Sequence, residues 1–254
     1  MKTLLVVTAI CAVVCGTLSG QTQHFPPDSL INVKVIPRTT PVIQVIGTMR
    51  NITSALGVRC PFCHVGQEGQ PLEQFDFAKD EKHTKLIARQ MMSMVEEINR
   101  RLDTLPKHEH EHEAEVPSVQ VTCMTCHRGV SRPVPLEALL QQTAASAGAD
   151  SAIRLYQALR QRYYGRASYD FGEPALNIAA FRLARTGKFD EALAMLKLNE
   201  EFFPGSSGMY VFRGNILLMR GDTVAAAAAF REAIRRDSTN AEAKDRLKTV
   251  GGRP

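Results

Sequence analysis

The chain has 254 residues, 44% of them hydrophobic and 22% charged, with a formal net charge of +5. These values exclude a collagen-like repeat, a low-complexity disordered chain and a polytopic membrane protein, and the length accommodates two small domains. Residues 1–149 balance 14 basic with 14 acidic side chains, so the C-terminal part, with 17 against 12, carries the whole basic excess.

The N-terminus opens with Lys2, an apolar run from Leu4 to Val14, and the small residues Gly16, Thr17, Ser19 and Gly20 ahead of Gln21. This is the pattern of a Sec-type signal peptide over 1–20, and export to the periplasm is expected. The apolar run is too short to span a bilayer and no later run is longer, so no transmembrane segment is expected in the mature chain. Val13 and Val14 stand where a lipoprotein signal needs a small residue before Cys15, which argues against a lipid anchor.

Six cysteines are present, and Cys11 and Cys15 leave with the signal. The other four form two copies of C-x-x-C-H: Cys60-Pro61-Phe62-Cys63-His64 and Cys123-Met124-Thr125-Cys126-His127. In an oxidising compartment four thiols need partners. In a c-type haem site both thiols form thioethers to neighbouring vinyl groups of the porphyrin, and the adjacent imidazole binds the iron. A zinc ribbon places its knuckles about 15–20 residues apart and needs no histidine after each. Thioredoxin-like motifs or local disulfides leave His64 and His127 unexplained. Two covalently bound haems c are therefore expected.

A helix is predicted over Pro41 to Gly57, where Val45, Met49, Ile52 and Leu56 share one face just ahead of Cys60. Met49 is either core filling or an axial ligand. A second helix is predicted from about Asp80 to Leu102, with Ile87, Met91, Met94 and Ile98 on one stripe and Met92 pointing away. Periodicity does not choose between Met91 and Met94, and both read equally well as core. His108, His110 and His112 alternate with glutamates, a pattern that reads as a solvated loop and leaves metal binding or a distal ligand as alternatives. His83, on the polar flank, reads as surface.

The lead-in MRNITSALGVRCPFCH, the helix DEKHTKLIARQMMSMVEEIN and the ending VTCMTCHRGVSRPVP resemble the cytochrome subunit of purple-bacterial photosynthetic reaction centres, over roughly Val42 to Pro135. The resemblance implies Met49 and His64 as axial ligands of haem 1. It implies Met91 and His127 for haem 2, with Met94 the competitor. The family subunit carries four haems in two such pairs, and this chain has one pair, so it resembles a half-length dihaem relative. The segment with His108 to His112 is longer than the family's, the family's cross-pair histidine has no clear equivalent, and the photosynthetic role does not transfer.

Beyond Ser151 the composition turns to alanine, leucine and arginine, and the chain repeats at a period of 34: Gly187 with Gly221, Ala192 with Ala226, Leu196 with Phe230, Asn199 with Ala233. ALNIAAFRLARTGKFDEALAMLKLNEEFFP and the segment after it resemble tetratricopeptide repeats, with Ala180 and Gly214 at the close-contact position. Flanking helices are expected at about Ala152 to Tyr163 and Ala241 to Val250, and Gln141 to Asp150 reads as a linker.

The expected architecture is all-α: signal peptide 1–20, dihaem cytochrome c domain 21–140, linker 141–150 and tetratricopeptide-like domain 151–254. The expected activity is single-electron transfer between a redox donor and acceptor, with the repeats either docking a protein or peptide or serving as a pad for the haem domain. Nucleic acid is not expected as a partner of an exported chain. An enzyme is the less favoured alternative. A dihaem peroxidase needs an open iron and proton-transfer groups, for which His83, His108 and Glu109 to Glu115 are the visible stock. A third reading is an interaction module that haem merely stabilises.

Overall fold

The computed structural model describes residues 24–105 and 119–251. The signal-peptide reading and the His108 to His112 tract lie outside these residues. Among the described residues the structure is helical, with one isolated bridge between Val65 and Asp76. The chain is all-α. It divides after Met49, Val58 and Met94 into two compact units, 24–49 with 59–94 and 50–58 with the rest of the described residues.

The first unit holds the start of α1 (Val42–Leu56), the first C-x-x-C-H turn and the start of α2 (His83–Leu102). Both helices form where the apolar steps placed them, although α2 begins three residues later than expected. Asp80 stays outside the helix, where its carboxylate pairs with Lys85 and Arg89 at 2.9 Å each. Between the motif and α2 the chain is organised around aromatic rings. Phe75 stacks on Phe77 with centroids 5.5 Å apart, and a Cβ on Gly66 would lie 2.4 Å from the Phe75 ring, so only glycine fits there. Phe75 and Lys85 are the buried residues of this unit.

In the second unit the end of α1 meets the turn after the second motif. The Gly129 N–H donates to the Ala55 carbonyl at 2.8 Å, and a Cβ on Gly57 would stand 2.1 Å from the Gly129 carbonyl oxygen. Gly57 and Gly129 have φ of +65° and +88°, so both glycines are required by backbone conformation and Gly57 by contact as well. The Asn99 side chain binds both the N–H and the carbonyl of Val121, at 2.7 and 2.9 Å, which fixes the chain entering α3 (Cys123–His127).

Seven further helices follow: α4 (Leu136–Ala147), α5 (Ala149–Tyr163), α6 (Glu173–Ala184), α7 (Phe189–Phe202), α8 (Ser207–Arg220), α9 (Thr223–Arg236) and α10 (Ala241–Thr249). The starts of α6, α8 and α10 are 34 residues apart, as are those of α7 and α9. The sequence period is thus a structural period. Gly187 and Gly221 turn each pair with φ of +80° and +91°. Gly214 lets the Phe230 ring lie 2.4 Å from where its Cβ would be, and Ala180 is fully buried at the matching position.

The expected linker over 141–150 is corrected: it is helical except for Gly148, which breaks α4 from α5 with a φ of +81°. Its small polar residues conceal a helix whose buried positions are Leu136, Leu140 and Ala144, one turn apart. With α5 it makes a helical hairpin packed on α6 and α7 ahead of the two repeats. One continuous core runs from Leu136 to Leu247, with Tyr156 fully buried between Phe171 and Phe202.

Candidate functional site

The first C-x-x-C-H is a turn of 3-10 helix over Cys60–Phe62, with the N–H groups of Cys63 and His64 both donating to the Cys60 carbonyl at 3.2 and 3.0 Å. Three side chains at the start of α2 hold it. Lys82 Nζ donates to the Pro61 carbonyl, Thr84 Oγ1 donates to the Phe62 carbonyl, and Lys85 binds the following loop. Burial pushes the Cys63 thiol up, with the Thr84 hydroxyl and Lys82 offsetting part of it.

His64 packs edge-on against Phe77, centroids 5.0 Å apart, and its Nδ1 is buried without a hydrogen-bond partner. Burial and then the nearby Lys85 lower its pKa to about 4, with the Phe77 backbone opposing, so the imidazole is neutral at pH 7. A neutral imidazole is the form that binds a metal.

The second motif occupies α3. Thr122 N–H donates to Thr125 Oγ1 at 3.0 Å, capping the helix, and Arg128 in the left-handed region ends it at a φ of +49°. The reversal brings the Val130 carbonyl to 2.9 Å from His127 Nδ1. A carbonyl only accepts, so Nδ1 donates in this bond and Nε2 is the nitrogen left to face a ligand. This is the arrangement that orients a histidine ligand.

The methionines differ in setting. Met49 is half-buried on α1. Met91 and Met94 are 43% and 48% exposed, beside Ile87 at 41%, so the reading of both as packed core is corrected. Among the described residues no other segment covers Ile87, Met91 and Met94. Met92 is half-buried, and His83 is exposed as expected.

Cys60, Cys63, Cys123 and Cys126 are all free thiols, and among the described residues no three His, Cys, Asp or Glu side chains converge on a point that could hold a metal ion. A buried His64 Nδ1 without a hydrogen-bond partner, a His127 ring oriented through Nδ1 by the Val130 carbonyl, paired thiols and an apolar methionine stripe all fit a haem.

Residues 71–172 match the family of the photosynthetic reaction centre cytochrome C subunit. That span is similar to a c-type cytochrome. It contains Met91, Met94, Cys123, Cys126 and His127, starts after the first C-x-x-C-H, and runs past Pro135 through α4 and α5. No curated protein matches the chain. The similarity supports covalent haem c and electron transfer with redox partners, and among the described residues no helix is long and apolar enough to cross a membrane. Sequence reasoning missed Lys85 and the Val130 carbonyl. A lysine on an amphipathic helix reads as solvated, and a backbone acceptor carries no residue signature.

Proposed function

We propose that the chain is an exported, periplasmic dihaem c-type cytochrome that carries single electrons between a donor and an acceptor protein. One haem is held by Cys60 and Cys63 with His64 and Met49 as ligands. The other is held by Cys123 and Cys126 with His127 and Met91, Met94 being the alternative to Met91. The observation that carries the reading is the second motif, which lies within the matched span and whose His127 is aimed through Nδ1 by the Val130 carbonyl. When bound, haem c supplies a one-electron iron couple.

The residues of the chain do the rest. The cysteine thiols tether, so that an exported protein keeps its cofactor at high dilution. The His127 Nδ1–H to Val130 bond fixes the tautomer and ring plane. Met49 and Met91 would supply thioether ligands that close the two sites to water and small molecules, which favours outer-sphere transfer over substrate chemistry. The C-terminal helices resemble tetratricopeptide repeats, and in this reading they dock a protein or peptide that brings a redox partner to the haems. A 34-residue helical period and the basic excess of this half support that role.

The test is an optical spectrum of periplasmically matured protein, oxidised, reduced, and reduced under carbon monoxide, with haem counted per chain. Two covalent haems unmoved by carbon monoxide are expected. A shifted spectrum means an open iron and replaces the carrier with a peroxidase-like enzyme or a sensor.

A further inference from the structure

Lys85 is 7% exposed and is the buried charge of the first unit. Its ammonium reaches four oxygens: the carbonyls of Phe77, Ala78 and Lys79 at 2.9, 3.1 and 2.7 Å, and Asp80 Oδ1 at 2.9 Å. The three N–H donors of the ammonium are thus all taken up by carbonyls, with the Asp80 carboxylate beside them. Asp80 shares its other oxygen with Arg89, which also donates to the Asn32 carbonyl at 2.9 Å, and Asn32 in turn binds the Ala78 carbonyl at 2.6 Å. The cluster holds two cations against one anion.

Phe77 connects this cluster to the first motif. Its carbonyl accepts from Lys85, and its ring packs against His64. A buried cation is weakly screened and acts over several ångströms, whereas a solvated one at the same distance is largely cancelled by water. A fixed positive charge beside a redox iron disfavours the oxidised, more positive state.

Resting on the dihaem reading above, we propose that Lys85 is a positioning residue that sets the redox behaviour of the first site. Its cage holds Phe77 against His64, and its charge raises the reduction potential of the haem tethered at Cys60 and Cys63.

The experiment is a spectroelectrochemical titration of the matured full chain and three variants, with covalent haem counted in each. Lys85→Met keeps length and apolar bulk and removes the charge. It should lower one of the two redox components so that its reduced-to-oxidised ratio at fixed potential falls about tenfold, or about 59 mV for a one-electron couple. Asp80→Asn should move the same component the opposite way. Lys79→Met, which removes a cation 56% exposed on the same loop, should move neither. General loosening of the site shifts Lys85→Met and Asp80→Asn in one direction, so same-sign shifts overturn the proposal. So do equal shifts in both components, or an unmoved potential in Asp80→Asn should Lys85→Met fail to mature. Protein that carries no covalent haem in any of the four chains overturns the haem reading itself.

Discussion

The two units solve the folding problem differently. The second buries a continuous set of side chains from Leu136 to Leu247, many of them fully inaccessible, whereas the first buries Phe75 and Lys85 and leaves Ile87, Met91 and Met94 exposed. One is stabilised by its own apolar residues. The other is a frame of caged loops that holds the first C-x-x-C-H turn and presents apolar side chains at its surface. The largest test of this contrast removes the tether. In a Cys60, Cys63, Cys123, Cys126 quadruple alanine variant, amide protection should be lost across α2 and kept across α6 to α9. Native-like protection of α2 in that variant means the first unit does not depend on its cofactor.

The converse break is made in the second unit. Leu140 is fully buried on α4, and Leu140→Ala should cost about 2–5 kcal/mol through lost transfer energy and a cavity. Denaturation followed by helical circular dichroism reads the loss, while the haem spectrum of the native variant stays unchanged. A cost under about 1 kcal/mol would show that α4 is the linker its composition suggests rather than part of the core. Gly57→Ala should have a smaller effect, about 2 kcal/mol, from a left-handed backbone and a Cβ pressed on the Gly129 carbonyl. Its signature is a lower unfolding midpoint. A neutral outcome means that α1 and the turn after Cys126 separate freely.

How much of this was legible follows from where the information sits. Repeating chemistry is written in the sequence: the C-x-x-C-H spacing, the apolar steps of α1 and α2, and the period from Glu173 to Ala241 all recur as structure. The second half of α4 was obscured because its buried stripe needs only Leu136, Leu140 and Ala144, and the small polar run from Gln141 onward resembles a loop. Lys85 was illegible for a different reason. Its burial is created by the carbonyls of Phe77, Ala78 and Lys79, and backbone acceptors look the same in every sequence. The exposure of Met91 and Met94 inverts the usual inference from an amphipathic helix, since an apolar stripe states only that something apolar covers it, not that the cover is polypeptide.

The smallest expected effect separates the charges of the two units by their response to pH. In the second unit Glu200 accepts from the Tyr210 hydroxyl and from Arg213 Nη2 at 3.0 Å, and these bonds, Tyr210's first, hold its carboxyl below the ordinary glutamate value. The unfolded chain therefore binds this proton more readily than the folded one. The contribution to stability is complete above the ordinary glutamate value of about 4.3 and is lost as pH falls through the lower folded value. About a third of the side chain is exposed, so solvent screening limits it to about 0.5–1 kcal/mol. Glu200→Gln should be less stable than the parent by that amount at pH 7, and the difference should shrink as pH falls below the ordinary glutamate value and through the lower folded one. A difference that persists at low pH would assign Glu200 to packing. Its disappearance would mark the pair as an electrostatic contact at the rim of a core that stands without it, in contrast to Lys85, whose caged charge is the buried centre of the first unit.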